Sequence, residues 1–194
     1  MTEISALCVY CGSAVGNDPA HRAQAAELGD AMARRGIDLV YGGGRIGLMG
    51  VVADAVLAGG GRVTGIIPAH LQRREVGHHA ITELRVVSSM HERKRIMSEI
   101  ADGFVVLPGG LGTLDETLEI VTWRQLGLHD KPIVIADFGG YWRPLHALVE
   151  AVIAGGFAQP TVRGLFDIAD SVEGVFQALA RAPMPRLPVD AGRL

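Results

Sequence analysis

The chain has 194 residues, 48% of them hydrophobic, and a formal net charge of −3 at pH 7. That length fills one core and not two, so a single domain is expected, and the near-balanced charge argues against a nucleic-acid binder that works by neutralising phosphates. No run approaches the roughly 18 apolar residues that span a bilayer, and the first residues lack a basic segment followed by an apolar stretch, so a cytoplasmic protein with no membrane partner is expected.

In chain order, residues 4–10 read as a buried strand, and a helix starts near Pro19 with Asp18 as its cap and Gly36 as its stop. Cys8 and Cys11 are the only cysteines. They read as a redox pair, as half of a zinc site or as structural residues. No second Cys pair completes a zinc site and Cys8 lies inside a strand, whereas redox pairs open a helix, so the structural reading is favoured and no metal is expected. Residues 37–41 form a second strand, which runs through Gly42-Gly43-Gly44-Arg45-Ile46-Gly47 into a helix over 48–57. A third strand over 62–67 stops at Pro68, and residues 69–80, rich in basic and histidine side chains, read as a loop or lid.

Residues 84–87 give a fourth strand, and Ser89-Met90-His91-Glu92 has the form of a capping box opening a helix to about Ala101. Residues 103–107 are a short β-branched and aromatic run that enters Pro108-Gly109-Gly110-Leu111-Gly112-Thr113-Leu114-Asp115-Glu116, after which Leu114, Leu118, Val121 and Leu126 recur at roughly helical spacing. A strand over 133–136, a helix over 142–154, a short strand near Leu165 and Phe166 and a last helix from Ser171 complete a domain of residues 1–182. The Pro-rich tail, 183–194, is expected to be loose. Strands that alternate with helices and read as continuous apolar runs predict a doubly wound, Rossmann-like α/β fold, its sheet mainly parallel and covered on both faces. All three glycine-bearing turns, at Gly12, at 42–47 and at 109–112, then fall on the carboxyl edge of the sheet, where such folds bind ligands.

The strand-to-helix turn at 108–116 is a phosphate cradle: glycines let the backbone approach an anion, and the first N–H groups of the helix point outward as donors. Glu116 puts a carboxylate within a turn of that anion, which suggests chemistry beside it; Thr113-x-x-Glu116 is also a capping box, so the carboxylate serves either that chemistry or the closing of its own helix terminus. Residues 42–47 match G-x-G-x-x-G, but they follow the second strand, and Ile67 and Pro68 stand where a dinucleotide site wants an acid for the ribose. A nucleotide monophosphate remains compatible. Neither turn ends in G-K-[ST], so nucleoside triphosphate chemistry has no support. A pyridoxal phosphate enzyme would depend on Lys94, since the only other lysine, Lys131, precedes Pro132. Arg93 lies beside an apolar stripe of Met90, Met97 and Ile100, and pairs either with a surface acid or with an anion in a site.

Together, Cys11-Gly12-Ser13, Tyr41-Gly42-Gly43-Gly44 with Gly47-Leu48-Met49-Gly50, Met90-His91-Glu92-Arg93-Lys94, residues 108–116 and Trp123-Arg124-Gln125-Leu126-Gly127 resemble the Lonely Guy family of cytokinin riboside 5′-monophosphate phosphoribohydrolases, once often labelled possible lysine decarboxylases. The resemblance implies hydrolysis of the N-glycosidic bond of adenosine 5′-monophosphates, N6-substituted ones included, with no cofactor. It implies that Arg93 and Glu116 are the catalytic pair, and that Gly109, Gly110, Gly112 and Thr113 hold the 5′-phosphate. Met90 would lie near the base, Ser13, Gly43, Gly44 and Lys94 would join the substrate-binding set, and Trp123 would help form the N6-substituent pocket, unless it is a core or interface aromatic. A homodimer is implied as well. Asp115 departs from the family pattern, where Glu is usual. A non-catalytic nucleotide carrier on the same fold, or an AMP nucleosidase of purine salvage, are the alternatives.

Overall fold

In a computed structural model, which describes residues 4–72 and 77–182, the apolar runs become strands β1 (Ala6–Tyr10), β2 (Asp38–Tyr41), β3 (Val63–Pro68), β4 (Glu83–Val87), β5 (Gly103–Val106), β6 (Ile133–Ala136) and β7 (Asp167–Ala169). They form one sheet in the order β4-β3-β2-β1-β5-β6-β7, and every neighbouring pair is parallel. The connecting helices are α1 (Pro19–Arg34), α2 (Gly47–Ala58), the one-turn α3 (Ala69–Gln72), α4 (Met90–Ile100), α5 (Leu111–Gln125), α6 (Arg143–Ala154) and α7 (Val172–Arg181).

Side chains alternate along each strand, so one strand feeds two cores. Leu7 and Val9 of β1, with Cys11 just beyond it, join α1, α2 and α7 in one cluster, while Cys8 and Tyr10 join α4, α5 and the start of α6 in the other. The central strands β5 and β6 are buried along their whole length, whereas the edge strands β4 and β7 are largely exposed. This is the doubly wound architecture expected of continuous apolar runs covered on both faces.

Local chemistry sets the helix ends. Asp18 Oδ1 accepts the N–H of Ala20, Pro19 opens α1, and Gly36 turns the chain at φ +67°. Ser89 Oγ accepts the Glu92 N–H at 3.1 Å, and Glu92 reaches back to the N–H and hydroxyl of Ser88 at 2.8 and 2.6 Å. The other end of α4 is held by Lys131, whose ammonium donates to the carbonyls of Ser98, Glu99 and Ala101 at 2.7, 3.2 and 2.5 Å.

Two expectations change. The last short strand lies at Asp167–Ala169, because the preceding Pro160–Leu165 is a 3-10 turn that begins with a proline. The segment after β3 opens as α3, and its far end is tied back by Gly77, which bridges to Gly44, and by the His78 N–H, which donates to Gly43 O at 3.0 Å. The proline-rich tail expected at 183–194 lies outside the described residues.

The sheet order reverses direction between β1 and β5. From β1 the chain moves outward through β2, β3 and β4; it then returns to start β5 on the other side of β1. Loops leaving the carboxyl ends of β1 and β5 therefore diverge and leave a crevice. Its floor is knitted by main chain: Gly12 N donates to Pro108 O at 3.0 Å, and Leu48 N, at the start of α2, donates to Gly12 O at 2.9 Å. Gly47, at φ +64°, closes the second turn against the first, since a Cβ there would overlap the backbone of Ser13 and Ala14.

Candidate active site

Helix α5 begins at Leu111, with Gly110 as a cap that offers no side chain. Its first N–H groups are therefore left for a ligand, and this wall, Gly110 to Thr113, lines a cavity of about 270 Å³. Gly109 is required by the protein itself, because a Cβ would overlap Thr113 Oγ1 and sit 2.9 Å from Gly12 N. At Gly110 and Gly112 a Cβ would meet no protein atom within 4 Å; there, glycine leaves space for something other than protein.

Counting from Leu111 puts Thr113 at the third helical position and Glu116 at the sixth, too far along to cap the helix. The capping-box reading of Thr113-x-x-Glu116 is thereby corrected. Glu116 is 8% exposed and faces the same cavity, where Arg93 of α4, 4% exposed, approaches from the opposite wall. Arg93 Nη2 lies 3.6 Å from Glu116 Oε1. Of the other guanidinium donors, Nη1 touches Met90 Sδ at 3.7 Å, and the buried Nε has no hydrogen-bond partner among the described residues. A buried guanidinium with an idle donor is costly unless a ligand acceptor completes it.

The remaining cavity wall is apolar and sulfur-rich: Val9, Cys11, Met49, Met90 and Leu71 of α3, with Ser13 at the rim. Burial, and after it the charge of Glu116, pushes the Cys11 thiol far above its ordinary pKa. Cys11 is thus a neutral lining group. Ser13 and Gly110 also line a second crevice of about 480 Å³ between the 12–18 loop and Tyr141, whose hydroxyl donates to Gly109 O at 2.7 Å.

Of the residues expected from sequence, the cavity brings together Ser13, Met90, Arg93, Gly110, Gly112, Thr113 and Glu116, with Gly109 immediately behind the cradle. It does not include Gly43, Gly44, Lys94 or Trp123. Gly43, at φ +78°, packs toward Ile67 and Leu84, and Gly44 pairs with Gly77; the glycine that faces the cavity is Gly42. The Lys94 ammonium is turned to α5, 3.2 Å from Asp115 and 2.9 Å from Glu119. Trp123 is 9% exposed within the core on the α4–α5 side of the sheet. Sequence reasoning passed over Gly42, Cys11, Met49 and Leu71 as lining groups. Gly42 and Met49 lay inside motifs already singled out, whereas nothing in the sequence marks Leu71.

Fold and cavity together define a Rossmann-like α/β protein with a glycine-lined helix N-terminus beside a buried carboxylate–guanidinium pair. Residues 49–179 match the family described as "Possible lysine decarboxylase". The cytokinin riboside 5′-monophosphate phosphoribohydrolase LOG1 of Arabidopsis thaliana is 42% identical over 92% of this chain and 84% of its own. A probable enzyme of the same name from Oryza sativa subsp. japonica, LOGL9, is 49% identical over 82% of this chain and 70% of its own. The chain belongs to this family, that of the Lonely Guy phosphoribohydrolases. Among solved structures, the molybdenum cofactor carrier protein of Chlamydomonas reinhardtii superposes with a TM-score of 0.69 at 21% identity, over 92% of this chain and 99% of the other, and so shares the fold.

Proposed function

We propose that the protein hydrolyses the N-glycosidic bond of adenosine 5′-monophosphates, N6-substituted ones included, releasing the free base and ribose 5-phosphate. The relatives named as phosphoribohydrolases support the activity. The observation that carries it in this chain is the Arg93–Glu116 pair at 3.6 Å, buried in the cavity that the N-terminus of α5 opens into.

The reading assigns each group a task. The free N–H groups of α5 and the Thr113 hydroxyl take the 5′-phosphate, with Ser13 and Gly109 shaping the cradle. Glu116 follows Thr113 by three residues, about 4.5 Å along the helix axis, a separation that suits a ribose between its phosphate and its C1′. Cleavage of the C1′–N bond builds positive charge on the sugar; the Glu116 carboxylate stabilises that charge or activates the attacking water. Arg93 orients Glu116 and the ribose hydroxyls by charge-assisted hydrogen bonds. Met90, with Met49 and Leu71, offers the base an adaptable apolar wall. Because remote phosphate binding positions the sugar, nucleosides without it turn over poorly.

The reading includes a homodimer, supported by Leu111, Leu118 and Leu126, which recur on α5 and at its end and are 84%, 44% and 67% exposed. Light scattering in solution tests it. It also places the protein in the cytoplasm, where free thiols such as Cys8 and Cys11 persist; among the described residues no helix is long and apolar enough to cross a membrane.

Incubation with AMP and with its N6-isopentenyl analogue tests the proposal. Release of base and ribose 5-phosphate is expected, and the ratio of kcat/KM for the two identifies the preferred base. Tight binding without turnover would instead mark a nucleotide carrier.

A further inference from the structure

Lys94 follows Arg93 on α4, and Asp115 precedes Glu116 on α5. Neighbouring helical residues point about 100° apart, so the two side chains that face the cavity are each flanked by one that faces the seam between the helices. Across that seam the Lys94 ammonium, 13% exposed, meets Asp115 Oδ2 at 3.2 Å and Glu119 Oε1 at 2.9 Å. Asp115 and Glu119 stand four apart, so they share one face of α5 and bracket Glu116. Lys94 is absent from the cavity wall, and a nucleotide held there would not touch it.

We infer that Lys94 is a positioning residue for the Arg93–Glu116 pair: its two-carboxylate clamp fixes α5 against α4 and offsets the negative charge that surrounds Glu116. This rests on the phosphoribohydrolase reading for its kinetic consequences, though not for its electrostatic one.

The geometry is specific because the clamp has two points. One ion pair leaves a helix free to slide or roll; contacts one turn apart fix both position and rotation. An exposed lysine would contribute little here, but this one is mostly buried with two acceptors. Burial disfavours its charge, and the hydrogen bonds to Glu119 and Asp115 outweigh that and raise its pKa. The charge balance points the same way. Arg93 from α4 and Cys8, Tyr10 and Cys11 at or just beyond the end of β1 interact with Glu116 itself, and one residue away, in the seam, stand Lys94 of α4 with Asp115 and Glu119 of α5. Burial holds the two thiols and the phenol neutral, so the balance lies between two cations and three carboxylates. Without Lys94 one guanidinium would face three carboxylates, which favours protonation of Glu116.

The test is Lys94→Met, which keeps most of the stem and removes the charge, measured beside Lys94→Arg. Expected for Lys94→Met are a kcat about tenfold lower, a KM for AMP within about twofold of wild type, and an acid limb of kcat/KM moved up by about half a pH unit or more. Lys94→Arg recovers most of the rate. The Glu116 carboxyl resonance, followed by carbon-13 NMR titration of glutamate-labelled protein, moves to a higher midpoint in Lys94→Met whether or not the enzyme turns over. If Lys94→Met does not fold, Glu119→Gln substitutes for it: kcat falls because one clamp point is lost, while the acid limb moves down because a like charge is removed. Unchanged kcat with an unchanged Glu116 midpoint overturns the inference. So does a large rise in KM at unchanged kcat, which would return Lys94 to substrate binding. Wild-type protein that releases no base overturns the hydrolase reading alone, and the titration still decides the role of Lys94.

Discussion

Gly42 and Arg93 are fitted to each other: a Cβ on Gly42 would overlap the guanidinium Nη2 and come within 3.3 Å of Met49 Sδ. Gly42 is not among the glycines at positive φ, so alanine strains no backbone there and its main effect falls on the arginine, with Met49 Sδ crowded less closely. Gly42→Ala should therefore fold normally and lower kcat by about tenfold or more, as the displaced guanidinium loses its line to Glu116. Steady-state kinetics with a thermal melt checks both halves.

Charge placement is what the pair contributes. Glu116→Gln and Arg93→Ala are each expected to lower kcat on AMP by about a hundredfold or more while the protein stays folded. Single-turnover base release and circular dichroism measure this, and near wild-type turnover in either variant would sink the catalytic assignment.

His129 makes the fold sensitive to acid. Its Nε2 donates to Ile120 O at 2.9 Å and its Nδ1 accepts the Lys131 N–H at 3.2 Å, the pattern of a neutral ring. Burial first, and the nearby Lys131 and Arg124 charges after it, lower its pKa below the ordinary 6.5 against the opposing pull of the Ile120 carbonyl. As pH falls below about 6.5, the unfolded chain takes up a proton that the native ring refuses, so stability falls until the lowered native pKa is passed. Tm measured between pH 8 and 5 should drop more steeply for wild type than for His129→Gln.

The family description raises lysine decarboxylation, and the two lysines argue against it. Lys94 is clamped by two carboxylates, and Lys131 is spent on the carbonyls at the end of α4. An imine with pyridoxal phosphate would cost either one its partners. Adding pyridoxal phosphate alone to the protein should produce no imine absorbance, and adding lysine as well should release no carbon dioxide; either signal would refute this.

The fold was largely legible because its signals are local. Asp18-Pro19 and Ser89-x-x-Glu92 mark helix starts through side chains that cap them, and β5 and β6, buried on both faces, read as unbroken apolar runs. The start of α5 was misplaced because Gly110 caps it without a side chain and Thr113-x-x-Glu116 imitates a cap further on. Trp123 shows a second limit. It stands seven residues, two turns, beyond Glu116 and shares its helix face, but two turns down that face meets the core under the sheet and not the cavity. Spacing reports direction around a helix and says nothing of depth along it. Lys94 shows the third: as the neighbour of Arg93 in one motif it looked like part of the same site, yet adjacent helical residues cannot face the same way. Leu71 reaches the cavity only through the path of the chain after β3.

Helix α4 is stapled at both ends, by Ser89 and Glu92 where it starts and by the Lys131 ammonium where it stops. An element bonded at both ends opens less readily than one whose ends fray. The arginine thus rides on an element held at both ends, whereas Leu71 reaches the same cavity from the one-turn α3.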